Sequence, residues 1–563
     1  RGELRDPAPT LPGLRPSIAQ QLIEWDWRMQ DGIGTLREPR SWAQAVQTVL
    51  ERGDRLIQNL AASGVALADL TGTWEELRLK HQSLAADAPE AEWESLWRNV
   101  HAVRRQIALS NPLAQVGPLL FVKHVPSSFS HQLTQYSGRC ARPGGGIFVL
   151  DAPGESMQCR QLGTLPAGSY LSPDVSWDGR RVLFSFCQTD PAATDWRSNA
   201  EQFYRLYEMA ADGSDLRQLT NEPYDDFSPR YLPNGKILFL STRRGGFHRC
   251  GRGPCPVHSM AIANADGSNP HVISFHETHE WDPAVLNDGR IIYTRWDYVD
   301  RHAVFYQQLW SVRPDGSDVR AFYGNNTLNP VGVWEARPVP GSNRVMATAA
   351  AHHAMTAGST ILLDVARGID GLEPITRLTQ DVLFPESESP VGNWYNPAGV
   401  AERPEVSPEE KRWPGHCYRT PYPLSEDYFL AAYSFEPLVG EPFANRANLF
   451  GIYLVDRFGN KELLYRDVNI GSLWPMLLRA RPCPPAVPSA LAETDPGEGS
   501  FFMQNVYESW PQLSDAKDAI HALRIVQVLP KTTPNANTPR VGLANASPGK
   551  QVLGTVPVES DGS

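Results

Sequence analysis

P-R-Y-L-P-N-G-K-I-L-F-L-S, residues 229–241, carries the pattern that decides the fold. A proline leads, an Asn-Gly turn follows, and an apolar run rich in strand-forming residues ends it. Asn-Gly supplies the positive-φ backbone that a tight hairpin requires. The same element stands at Pro173 (PDVSWDGRRVLFSF), Pro283 (PAVLNDGRIIYTRW), Pro338 (PVPGSNRVMATAA) and Pro421 (PYPLSEDYFLAAY), and its first three intervals are 56, 54 and 55 residues. Pro112 (PLAQVGPLLFVKH) offers a weaker copy at the front. A second element follows each proline, an apolar strand ending in a polar turn. Its copies are GIFVLDAPGE at 146, LYEMAADGSD at 206, SMAIANADGS at 259, LWSVRPDGSD at 309, TILLDVARGI at 360 and GIYLVDRFGN at 451. Two elements alternating at a fixed period are the signature of a repeat architecture. The expectation is a mainly β chain with a six-bladed β-propeller over 112–483. Each blade has four strands, with the Pro–turn–apolar run as its inner strand and the strand before the polar turn as its third.

The flanks read differently. Residues 1–111 form an N-terminal helical segment. Within it Trp93, Trp97, Val100, Val103 and Ile107 recur at three- and four-residue steps, one apolar helix face. Residues 484–563 read as the start of a C-terminal β domain, with strands at 522–529 and 551–558 and an expected truncation. The connection over 385–416 is long and Pro-rich, a length usually tied to function or disorder.

Composition narrows the function. Hydrophobic residues are 41% and charged residues 20%, enough for a sizeable core, and 48 Pro with 44 Gly suit a turn-rich fold. A net charge of −11 without a basic stripe argues against nucleic acid and against anionic membrane surfaces. No apolar run reaches about 18 residues, so no membrane span is expected. There is no G-x-S-x-G nucleophile elbow and no α/β segment after the repeats, which removes the prolyl-oligopeptidase type of hydrolase.

Candidate chemistry lies in the loops at the two mouths of the channel. His131 and Asp174 are candidate acid–base groups; the alternative is that each caps a turn or pairs with an arginine. In H-R-C-G-R-G-P-C-P-V-H, 248–258, Cys250 and Cys255 with His248 or His258 are ligand types that suit zinc, with His131 or His352 as a further donor. The alternative is a local disulfide or two thiols in a glycine-rich loop. His352–His353 form a second histidine pair, and W-D-Y-V-D-R at 296–301 reads as an inter-blade ion-pair network. Asp225, Arg230, His276, His279, Asp282 and Arg337 are expected at the mouth opposite the cysteines. The Asp-Gly turns lack the carboxylate spacing of a calcium loop.

Longer stretches carry a family resemblance: F-S-H-Q with A-R-P-G-G-G-I-F-V-L within 129–150, D-G-R-I-I-Y-T-R-W-D-Y-V-D-R at 288–301, E-A-R-P-V-P-G-S at 335–342, P-Y-P-L-S-E at 421–426 and V-L-G-T-V-P-V-E-S-D-G-S at 552–563. Together they resemble the α subunit of bacterial hydrazine synthase. The resemblance implies an extracytoplasmic protein with an N-terminal six-bladed propeller and a c-type haem domain after it. It also implies a multi-subunit redox complex that joins nitric oxide and ammonium-level nitrogen into hydrazine. This chain has no C-x-x-C-H, so any haem c would lie downstream or on a partner subunit. On this reading the propeller shapes a haem pocket for a small-molecule substrate, with His131 and Asp174 near it and zinc at Cys250, Cys255 and His258. The other function class is a non-catalytic periplasmic propeller that binds a protein or a ligand.

Overall fold

The structure is a computed structural model describing residues 16–563 except 36–40, 190–200, 251–252, 300–304, 353–354, 386–415, 437, 440–442, 492–498, 510–512, 514–519, 537 and 543–546. The chain is mainly β and propeller-like. Four helices come first, Pro16–Asp31, Trp42–Ala62, Ala68–Ser83 and Glu90–Leu109. The second opens on a capping box in which Ser41 and Gln44 satisfy each other's backbone N–H groups. Trp93, Trp97, Val100, Val103 and Ile107 are all buried, as the helical spacing predicts. No helix among the described residues is long and apolar enough to cross a membrane.

One four-strand antiparallel motif then repeats. Strands Gly168–Val175, Arg181–Gln188, Arg205–Ala210 and Arg217–Gln218 form a unit. Asp226–Tyr231, Ile237–Ser241, Ser259–Ala263 and His271–Val272 form the next. The third begins at Glu280–Val285, the fourth at Gly332–Pro338 and the fifth at Cys417–Pro423; single-residue bridges link these three into one longer sheet. In a further unit, Leu119–His124, Gly145–Leu150 and Cys159–Leu162 take their first strand from the far end of the chain, Gly471–Leu477. The first strands contact one another in succession, and Gly471–Leu477 touches both Cys417–Pro423 and Gly168–Val175.

The repeated proline has a structural reason. Each first strand carries a register shift where one residue takes positive φ: Ser172 (45°), Ser228 (51°), Asp282 (48°), Glu335 (55°), Thr420 (50°) and Trp474 (53°). A bulge leaves a residue outside the ladder, so a proline costs no hydrogen bond there. Pro173, Pro229, Pro283, Pro421 and Pro475 each follow a bulged residue, and Ala336 fills the remaining position.

This corrects three expectations. The Pro–turn–apolar element is a hairpin spanning the first and second strands, not an inner strand alone. The copy belonging to the Leu119–His124 unit is at Pro475, whereas Pro112 opens a short 3-10 turn, Pro112–Ala114. In the fourth unit Ala336, not Pro338, holds the equivalent place. The strand before each polar turn is the third strand throughout, as expected. Strands Ala522–Leu529 and Gly549–Pro557 pair as an exposed hairpin. Most of the 385–416 connection lies outside the described residues.

The helices share a core with the strands. Trp27, Leu56 and Trp97 pack in one buried cluster with Phe121, Tyr453 and Tyr465. Asp31 accepts from Trp97 Nε1 (2.7 Å) and sits 2.7 Å from His101 Nε2.

Candidate functional site

Strand direction decides where the loops meet. In each unit the chain leaves the second strand at the same end at which it enters the next unit's first strand. His248, Cys250 and Cys255, after a second strand, therefore lie beside His276 and His279, just before a first strand. The expectation had put these two groups at opposite mouths, and the structure corrects it.

The result is a stack of imidazoles. His248 and His279 lie 4.7 Å apart with planes 5° from parallel, and His258 lies 4.1 Å from His279. Trp296 stacks on His248 at 4.9 Å, Trp281 lies 5.2 Å from His279, and His352 meets Trp296 edge-on at 5.5 Å. All three stacked histidines are buried. Burial pulls His258 down to about 3 and holds His248, His276 and His279 well below the ordinary range. They act as neutral hydrogen-bonding groups.

Hydrogen-bond partners set the tautomers. The His258 N–H donates to His279 Nδ1 (3.3 Å), which leaves the ring proton on His279 Nε2, 3.4 Å from Cys255 Sγ. Cys255 in turn donates to the Leu133 carbonyl at 3.7 Å, and burial pushes its thiol pKa up. His258 Nδ1 donates to the Glu280 carbonyl (2.8 Å), which leaves Nε2 as its basic nitrogen. The Cys250 N–H donates to His248 Nδ1 (2.9 Å), so Nε2 carries the proton; this buried nitrogen has no hydrogen-bond partner among the described residues.

A small cavity of about 20 Å³ opens beside this stack, bounded by Cys140, Asp225, Cys255 and His258. That volume suits a molecule of a few heavy atoms. Asp225 Oδ1 accepts from the Gly138 N–H (3.0 Å) and the Tyr204 N–H (2.9 Å), while burial drives its pKa up to about 7. Such a carboxyl holds its proton more tightly folded than unfolded. Its stabilising contribution is full below the unfolded pKa and is lost as pH rises through about 7. Asp225→Asn keeps the accepting oxygen, so its stability relative to the native protein should climb by about 1.4 kcal/mol per pH unit from 5 to 7 and level off above. Urea unfolding at pH 5, 6, 7 and 8 measures this; a flat difference would mean that Asp225 ionises normally.

The sequence candidates separate. His131 belongs to the histidine end, close enough to add to the charge field at His279, and its Nδ1 accepts from the Leu133 N–H at 3.0 Å. Asp174 sits at the other end of the strands, where it pairs with Arg481 (3.0 Å) and accepts from the Tyr231 N–H (2.9 Å). The two do not form one acid–base pair, and each makes the turn-capping or ion-pairing contact of the alternative reading. Cys250, Cys255 and His258 come together, but all seven cysteines are free thiols, so there is no local disulfide. Among the described residues no group of three or more His, Cys, Asp or Glu could hold a metal ion. Asp300, Arg301, His302 and His353 lie outside the described residues. Within W-D-Y-V-D-R, Asp297 pairs at 2.9 Å with Arg295, which precedes the motif's Trp296 on the same strand.

Sequence reasoning missed Asp225 as part of the histidine cavity. It also missed a second cavity, of about 320 Å³, at the Asp174 end. Its signal was present: Asp174, Arg230, Ala284, Arg337 and Tyr422 each occupy the second place after a bulged residue, and all five line it.

No family model matches the sequence, and neither does any curated protein. Among solved structures, TolB from Acinetobacter baumannii aligns over 68% of this chain and 72% of its own, at 10% identity and a TM-score of 0.37. Hydrazine synthase from Kuenenia stuttgartiensis aligns over 79% of this chain with a TM-score of 0.56 and 15% identity. This chain spans 63% of that hydrazine synthase chain, and the two are similar in fold.

Proposed function

We propose that the chain is a closed six-bladed propeller serving as the scaffold of an extracytoplasmic redox assembly, with its histidine end forming the wall of a small-molecule pocket. The circular contacts of the first strands, with Gly471–Leu477 entering the first sheet, support closure. The domain division proposed is 1–111, 112–483 and 484–563. One observation carries the functional reading: the neutral imidazole of His258, the thiols of Cys140 and Cys255 and a carboxyl that titrates near neutrality bound one small cavity. Asp225 can give a proton near pH 7, and His258 Nε2, kept neutral by burial, can accept a hydrogen bond from a molecule beside it.

The fold likeness supports a neighbouring redox group. Haem c would supply electron transfer, but the chain has no C-x-x-C-H, and its described residues gather no metal-holding cluster. Such a haem would be borne by another domain or subunit. The test is the visible spectrum of the protein isolated with its natural partners. A co-purifying haem band that shifts in His248→Gln and in Asp225→Asn supports the reading. Absence of haem, or a spectrum indifferent to both substitutions, overturns it in favour of a ligand-binding propeller.

A further inference from the structure

The cavity at the Asp174 end carries more positive charge than its walls neutralise. Arg230, Arg337, Arg479 and Arg481 line it against a single carboxylate, Asp174. Both Asp174 oxygens are already engaged, one by Arg481 and one by the Tyr231 N–H. Arg230 is 6% exposed; its Nη1 donates to the Pro229 carbonyl (2.7 Å), and its buried Nε has no hydrogen-bond partner among the described residues. Neither Arg230 nor Arg337 forms an ion pair with a described residue. Burial first, and then the charge of Arg337, draws Arg230 down to about 10. Arg337 lies over the Tyr422 ring at 5.6 Å. Asp174, with Asp282 beyond Arg230 and Glu335 beyond Arg337, offsets part of this charge but ion-pairs with neither guanidinium, so the two guanidinium groups destabilise the free protein.

Much of the rest of the wall is apolar. Pro338 ends a first strand, and Pro340 and Leu424 come from the turns between first and second strands. The segment after Leu477 crosses this end: the Arg481 N–H bonds the Trp177 carbonyl (2.9 Å), and further on Arg313 bonds the Pro488 carbonyl (2.8 Å). A volume of about 320 Å³ is in the range of small-ligand sites.

We propose that this cavity binds a small organic anion, its carboxylate or phosphate head between Arg230 and Arg337 and its apolar body against the proline-rich wall. The site is independent of the histidine end. A guanidinium pair binds either head in forked geometry, so the probes separate them: benzoate, phenyl phosphate and inorganic phosphate, each titrated calorimetrically and by thermal shift at constant ionic strength in chloride. Benzoate or phenyl phosphate should bind and raise the melting temperature, and the tighter of the two names the head. Arg337→Gln and Arg230→Met should each weaken that binding at least about tenfold. In the same chloride buffer without either organic anion Arg230→Met should be no less stable than the native protein, because a buried guanidinium repelled by Arg337 is gone. The proposal is overturned if neither organic anion binds, if Arg337→Gln binds as the native protein does, or if inorganic phosphate binds as tightly as phenyl phosphate. Should Arg230→Met fail to fold, Arg337→Gln at the partly exposed rim decides.

Discussion

Glu462→Ala is expected to destabilise the protein by about 3–5 kcal/mol and to release the N-terminal helices. Glu462 lies in the outer strand Lys461–Tyr465 and is 1% exposed. It accepts from Arg104 Nε at 2.9 Å and pairs with Arg105 at 3.4 Å, both on the helix Glu90–Leu109. Arg104 is equally buried, so removing the carboxylate strands a desolvated guanidinium, which costs more than the pair was worth. Neighbouring contacts do not replace it, since Tyr453 bonds Asp26 and Asn460 bonds the Arg52 carbonyl at 3.2 Å. Urea unfolding gives the loss, and limited proteolysis shows whether cleavage between the helices and Leu119 comes first. Replacing Glu462 together with Arg104 by leucines should recover much of the stability; a double variant as unstable as the single one would show that the ion pair is not the cause.

Trp474→Ala should cost about 3–5 kcal/mol as well, for a different reason. Trp474 is 4% exposed on the strand that enters the sheet of Leu119–His124. Its ring meets His124 edge-on at 5.6 Å and Arg419 stands 5.7 Å from it, contacts that alanine would lose, whereas its backbone N–H, which alanine keeps, donates to Thr420 Oγ1 (3.1 Å). Arg419 also holds Glu335 at 3.3 Å, so the loss reaches the inner ends of several units. Because residues from both ends of the repeat region meet there, the variant should unfold in one cooperative step at lower urea. A native-like main transition with an early minor one would place Trp474 in a separate C-terminal unit and contradict the strand pairing.

The repeats were legible because their signals are local. Asn-Gly and Asp-Gly encode a hairpin within four residues, and an apolar run beside them can only be strand. The helix face of Trp93, Trp97, Val100, Val103 and Ile107 was legible for the same reason. Pro112 was taken for a repeat because it precedes an apolar run, a resemblance that holds only along the chain. Pro475 is the true equivalent, and Leu120, the strand partner of the adjacent Met476, lies some 350 residues earlier, where no local pattern records the pairing.

The candidate sites divide in the same way. Cys250, Cys255 and His258 could be named together because eleven consecutive residues hold them. Their meeting with His279 and Asp225 depends on counting strand directions, and one assumption about the inner strand sent those residues to the wrong mouth. Sequence alone determined a repeated four-strand architecture, the helical preface and the absence of a haem attachment motif, because composition, turn chemistry and short motifs act over a few residues. Only the tertiary structure decided which strand completes the first sheet, which loops share an end, and that Arg230 and Arg337 line one cavity without an ion-pair partner among the described residues, because those facts arise from surfaces brought together by folding.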